Sequence, residues 1–207
     1  MTKAIVYYAP LARHDYAELA ARWLHGIAYA KRLAIERAPP GAALATLAGI
    51  ELLSLAAAAH GQGALPIAAL VFPERGKPCW PGGLEFNISH TADWVACVAT
   101  RGVSVGIDLE AVGRVSPAIL RRVASSAEVA LAGATALGAT HLWTRKEAVV
   151  KAAGGTVSDA REVTVSQAHA EFRGRLWYFA GPDMLEGHAL AIAAARADLS
   201  VELRPAY

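Results

Sequence analysis

Cysteine is scarce in this chain of 207 residues: Cys79 and Cys97 are the only two, and no C-x-x-C spacing occurs. A disulfide framework and a cysteine-held zinc site are therefore excluded, and two reduced thiols in a cytoplasmic protein are expected. Charge is sparse as well. Charged residues make up 18% of the chain and the net charge is +2, with no stripe of one sign. That argues against a dedicated nucleic-acid binder, so any anion site has to be local. Uninterrupted apolar runs are missing too. The longest candidate, AALATLAGIELLSLAAAAH, is broken by Thr46, Gly49, Glu51 and Ser54 and reads as a buried helix rather than a membrane span. The first residues, MTKAIVYYAPLARHDY, lack the apolar centre of a signal peptide, so neither export nor membrane attachment is expected.

What is plentiful is alanine and aliphatic residues, in a composition that is 55% hydrophobic. A chain of this size and content buries a core without metal or disulfide support, as one compact domain or two small lobes. KAIVYYA (3–9) reads as a strand. DYAELAARWLHGIAYAKRLAIER reads as one helix through Leu19, Trp23, Ile27 and Ala30, broken by RAPPG. A second helix is expected over about 42–60, then a strand at IAALVF and a long turn at PERGKPCWPGG.

FNIS, DWVACVAT and VSVGIDLEAV read as three strands of one antiparallel sheet. SPAILRRVASSAEVALAG and THLWTRKEAVVKAAGG read as helices, the second closed by Gly154 and Gly155. REVTVSQ, AEFRGRLWYFAG and GHALAIAAA return to strands, which makes the fold class α+β.

The chemistry concentrates in a few residues. Side chains alternate along a strand, so Asp108 and Glu110 share a face while Ile107 and Leu109 turn to the core. Two carboxylates roughly 7 Å apart at the backbone can converge on one hard cation such as Mg²⁺. An ordinary solvent-facing strand end with two acids is the competing reading. Glu147 and Lys151 stand four apart on a helix, where a plain surface ion pair would also account for them. Trp143 lies one turn earlier. A third carboxylate and a lysine facing two strand carboxylates is what metal-assisted reaction at a phosphate uses. Lys77 sits between Gly76 and Pro78 in a loop suited to close backbone approach, and Ser89 and Thr91 flank His90 with hydroxyls.

RGKPCW, FNISHT, VGIDLE and LWTRKEAVVKAAG, in that order and spacing, resemble the 4′-phosphopantetheinyl transferases of the surfactin type (group II). The resemblance is strong over 75–155 and looser on either side. It implies two similar lobes related by pseudo-twofold symmetry, each a small, mostly antiparallel sheet with packed helices. Residues 1–102 would form the N-terminal lobe with the nucleotide contacts, and 103–207 the C-terminal lobe with the metal and catalytic residues. It implies Mg²⁺, coenzyme A as co-substrate and an apo acyl or peptidyl carrier protein as partner, in polyketide, peptide or fatty-acid synthesis. The enzyme would be a cytoplasmic monomer that releases adenosine 3′,5′-bisphosphate.

By the same resemblance Asp108, Glu110 and Glu147 are the metal ligands, and Glu147 is the base for the carrier serine. Lys151 meets the pyrophosphate and His90 a phosphate. Arg75, Gly76, Lys77, Pro78 and Ser89 line the nucleotide, with Thr46 near its 3′-phosphate. The family often has arginine where this chain has Ala45, so the cation for that phosphate falls to Lys31, Arg32 or Arg37. A second metal-dependent phosphoryl enzyme class, such as a nuclease, and a non-catalytic carrier-binding homologue are the alternatives. SPAILRRVASSAEVAL offers Arg121 and Arg122, with Ile119, Leu120, Val123 and Ala124, as a docking face for an acidic carrier helix.

Overall fold

Apolar residues fall on both faces of the first strand, and both faces are covered. β1 (Thr2–Pro10) turns Tyr7 and Ala9 toward a helical layer and Ala4 and Val6 toward a second sheet. The computed structural model describes residues 2–73 and 76–207. After β1 come three helices, α1 (Tyr16–Trp23), α2 (Tyr29–Arg37) and α3 (Pro40–Ala59). Strands β2 (Glu85–His90), β3 (Trp94–Thr100) and β4 (Val105–Ala111) follow. Helices α4 (Pro117–Val123), α5 (Ser126–Ala132) and α6 (Ala136–Ala152) lead to the last strands. These are β5 (Thr164–Val165), β6 (His169–Phe172), β7 (Arg175–Phe179), β8 (Met184–Leu185), β9 (His188–Ala194) and β10 (Leu199–Pro205).

The architecture is α+β with two sheets. One has the order β10-β1-β3-β2, and the other runs β4-β9-β7-β6-β5 with β8 beside β9. All these pairs are antiparallel except β1 with β10. Three apolar clusters stack through the molecule. α3 contributes Leu47, Ile50, Leu52 and Leu53 to the cluster over the first sheet. Val105, Ile107, Leu109, Leu190 and Ile192 of the second sheet share the middle cluster with Val6 and Val98 of the first. α6 covers the far face with Leu142, Val149 and Val150. Each such aliphatic side chain contributes roughly 1.5–3 kcal/mol by leaving water. α3 is long and apolar enough to cross a membrane, but 61% of its apolar window is buried in this core.

Several sequence expectations need correction. The helix expected from Asp15 to Arg37 is two, because Leu24–Gly26 tightens into a 3₁₀ turn and Ile27 and Ala28 are extended. IAALVF is not a strand: Ile67–Ala69 is a 3₁₀ turn, and only Val71 makes a bridge, to Cys79. SPAILRRVASSAEVALAG is also two helices. Ser125 starts α5 with a reciprocal cap to Glu128 while Ala124 is extended. β4 does not join β2 and β3 in one sheet; it pairs with β9. The last strand, β10, returns to lie parallel to β1, so the first sheet draws on both halves of the chain.

Candidate active site

The site forms where α6 crosses β4. Residues 106, 108 and 110 share the face of β4 that looks toward α6, opposite Ala193, Ala191 and Ala189 of β9. Small residues on that face let the helix come close. At Gly106 the approach is extreme: an added Cβ would lie 2.2 Å from the Ala148 carbonyl oxygen and 2.4 Å from the Ala152 nitrogen. The close crossing brings Glu147 and Lys151 beside Asp108.

Asp108 is 4% exposed and Glu147 5%. Lys151 does not pair with Glu147 on its own helix. Its Nζ reaches across to Asp108 Oδ1 at 2.5 Å and donates to Ser89 Oγ at 3.1 Å. Ser89 Oγ in turn donates to Asp108 Oδ1 at 3.0 Å and accepts the Leu109 amide at 3.2 Å. Two oxygens remain orphaned: Asp108 Oδ2 and Glu147 Oε1 are buried without a hydrogen-bond partner.

Burial, with the Asp108 charge second and Glu110 adding to it, pushes the Glu147 carboxyl up to about 7, against the pull of Lys151. Glu110 is raised too, by burial first and Asp108 next, with Arg114, Trp143 and Lys151 opposing. Arg114 Nε stands 3.9 Å from Glu110 Oε2. The Asp108 charge thus raises the proton affinity of both Glu147 and Glu110, and the cluster is short of positive charge.

Among the described residues no three side chains form a ready-made metal cage. The donor set nevertheless fits a divalent cation. It is all oxygen, two of its atoms are buried and unmet, and the carboxylates are held against mutual repulsion.

The other expected residues are spread around this centre. His90 ends β2 at the surface, and desolvation lowers its proton affinity, against a backbone hydrogen bond at Thr91. Gly76 lies against the end of α6, where an added Cβ would be 3.0 Å from the Gly154 carbonyl oxygen. Lys77 is tied down: its Nζ pairs with Glu85 at 2.8 Å and meets the Val105 carbonyl at 3.3 Å. Arg75 lies outside the described residues. Thr46 Oγ donates to the Ala42 carbonyl at 2.9 Å within α3.

A cavity of about 150 Å³ gathers Thr46, Lys31, Phe72, Pro78 and His90. Lys31 Nζ sits 5.6 Å above the Phe72 ring, and burial lowers its proton affinity. Arg32 instead lies over Tyr29 and 4.0 Å from Glu36, and Arg37 is exposed.

Lys146 was not foreseen. It is fully buried beside Glu147 and turns the other way, 2.7 Å from Glu128 and onto the Val163 carbonyl. Glu128 also accepts the Val165 amide at 2.8 Å, so this pair ties α6 to α5 and β5. The signal was present: a lysine one position from Glu147 must face a different side of the helix, and that side is apolar.

Comparison with known proteins bears on the half of the molecule that carries this centre. Residues 104–193 match the 4′-phosphopantetheinyl transferase superfamily. The superfamily match contains Asp108, Glu110, Glu147 and Lys151, while Ser89, His90, Lys77 and Thr46 lie before it. The chain is 33% identical to the 4′-phosphopantetheinyl transferase AcpT of Salmonella typhi over 135 residues, 59% of this chain and 65% of that protein. The AcpT of Salmonella typhimurium gives the same figures. The AcpT of Escherichia coli is 31% identical over 103 residues, 44% of this chain and 51% of that protein. The chain thus spans a little under two thirds of the length of the Salmonella relatives it matches.

Proposed function

We propose that this protein moves the 4′-phosphopantetheine arm of coenzyme A onto a serine of an acyl or peptidyl carrier protein. The observation that carries the reading is the pair of unmet buried oxygens, Asp108 Oδ2 and Glu147 Oε1, beside Lys151 and inside the superfamily match. Asp108, Glu110 and Glu147 would hold Mg²⁺, which neutralises pyrophosphate charge and supplies the cation this cluster lacks.

The chain's own residues supply the rest. Glu147, with one buried oxygen left unmet, is suited to take the proton from the serine hydroxyl as its oxygen attacks the pantetheine-side phosphorus. The bond to the adenosine-side phosphate breaks and adenosine 3′,5′-bisphosphate leaves. Lys151 releases part of its hold on Asp108 to meet that phosphate. His90, with its proton affinity lowered, offers a neutral hydrogen bond. Lys31 and Thr46 share the cavity assigned to the nucleotide's 3′-phosphate, and this favours Lys31 over Arg32 and Arg37. Gly76, Lys77, Pro78 and Ser89 belong to the wall around the nucleotide on this reading, with the Lys77 ammonium held by Glu85 and the Val105 carbonyl.

α3 on one sheet and α6 on the other hold comparable places, which supports two similar lobes with an approximate twofold between them. The two unpaired cysteines agree with a cytoplasmic enzyme, which we take to be a monomer. The docking face is narrower than the sequence suggests. Leu120 is in the core and Val123 and Ala124 pack against it, leaving Ile119, Arg121 and Arg122 outward on α4. Intact mass spectrometry of an apo carrier protein incubated with this protein, coenzyme A and Mg²⁺ tests the reading. A gain of one phosphopantetheine with release of adenosine 3′,5′-bisphosphate is expected; an unchanged carrier mass across acyl and peptidyl carriers would overturn it.

A further inference from the structure

β2 and β4 are edge strands of their respective sheets, and among the described residues no backbone ladder joins them. Side chains make the junction instead. Glu85, Asn87 and Ser89 alternate onto one side of β2 and meet β4 at alternate residues. Glu85 holds Lys77, whose Nζ donates to the Val105 carbonyl. Asn87 Oδ1 accepts the Ile107 amide at 2.9 Å, and Ser89 Oγ accepts the Leu109 amide at 3.2 Å. Asp108 lies between the two captured amides.

We propose that Asn87 is a positioning residue for the transfer reaction, its side-chain carbonyl fixing β4 so that Asp108 and Glu110 meet Glu147 and Lys151 in register. The proposal rests on the transferase reading above. Asn87 is 4% exposed, and the Ile107 side chain is fully buried, so water is a poor substitute at that amide. Losing the acceptor leaves a buried N–H unmet. The outer rungs cannot do this alone. Ser89 also serves Lys151 and Asp108, and the Lys77 rung is held through a partly exposed carboxylate. The central rung rests on a neutral side chain that serves neither Lys151 nor Asp108, and it sets the height of the strand that carries both acids.

The test measures amide exchange in the ligand-free protein together with transfer kinetics. In Asn87→Ala the Ile107 amide should exchange about tenfold or more faster, measured against Val98 in the β1–β3 ladder. Turnover should fall by about ten- to a hundredfold, with a smaller change in the Michaelis constant for coenzyme A. If Asn87→Ala does not fold, Asn87→Thr, whose hydroxyl is one bond too short, replaces it with the same expectations. Unaltered Ile107 exchange relative to Val98, or a lost amide with normal turnover, overturns the proposal. So does a rise in the Michaelis constant alone, which would make Asn87 a mere cavity wall. Failure of the wild-type chain to transfer at all would sink the transferase reading, and the exchange data would still decide whether Asn87 holds β4.

Discussion

Lys151 on α6 binds Asp108 on β4, at 2.5 Å between Nζ and Oδ1, and not Glu147 one turn before it on the same helix. The ammonium therefore stands in for a cation in an acid cluster while leaving Glu147 unpartnered. Two kinetic consequences follow from that split. If its charge meets the pyrophosphate before and during reaction, Lys151→Ala should lower turnover and weaken coenzyme A binding together. Glu147→Gln should lower turnover by about a hundredfold or more with little change in coenzyme A affinity, since a base acts in the transition state. Steady-state kinetics of the two variants check this; equal, small effects in both would reduce the pair to structure.

Gly106 is where helix meets strand. Gly106→Ala would drive a methyl into the Ala148 carbonyl and the Ala152 nitrogen. Since both neighbours are backbone atoms, α6 must shift. About 1–3 kcal/mol of stability should be lost, by denaturant unfolding, and activity should fall further than stability explains.

The buried Glu128–Lys146 pair sets a pH dependence. Burial raises the Glu128 carboxyl, but the hydrogen bond from Lys146 and those from the Ser125 and Val165 amides outweigh it and leave it below the usual glutamate range. A depressed carboxyl adds stability that is present above its ordinary value, near 4.5, and is lost as pH falls through the folded value. Thermal unfolding from pH 7 down to acid should show that loss, and Glu128→Gln should flatten it. Glu128→Gln should also cost about 3–5 kcal/mol at pH 7 by stranding Lys146, with Lys146→Met on top restoring part.

On α4, Arg121 and Arg122 face outward beside Ile119. If they meet an acidic carrier helix, Arg121→Glu with Arg122→Glu should raise the Michaelis constant for the carrier and leave that for coenzyme A alone. Salt should inhibit the wild type more than the double variant. Equal effects on both substrates would move the docking face elsewhere.

The acid positions could be read from local periodicity. Alternation puts Asp108 and Glu110 on one face, and one helical turn aligns Glu147 with Lys151. What Lys151 binds could not be read, because it depends on where β4 lies, and β4 leaves the sheet of its neighbours in sequence for β9. The return of β10 to β1 is non-local in the same way. The breaks within 16–37 and 117–132 are different. Apolar spacing runs unbroken through Leu24–Gly26, and Gly26 is the one local mark of that turn. The S-x-x-E of Ser125 and Glu128 did mark the second one as a helix start. Asn87 and Ser89 carried a weaker trace, two polar residues at strand spacing on a segment otherwise apolar.

The most direct test of the account is the rate at which Asp108→Ala modifies an apo carrier protein at saturating Mg²⁺ and coenzyme A, read by intact mass against the wild type. Asp108 anchors Lys151, accepts from Ser89 and contributes an unmet oxygen to the acid cluster. Its loss should nearly abolish transfer, with the fold retained by circular dichroism. Transfer by the variant within about tenfold of the wild-type rate would contradict the assignment of this cluster as the centre of the reaction.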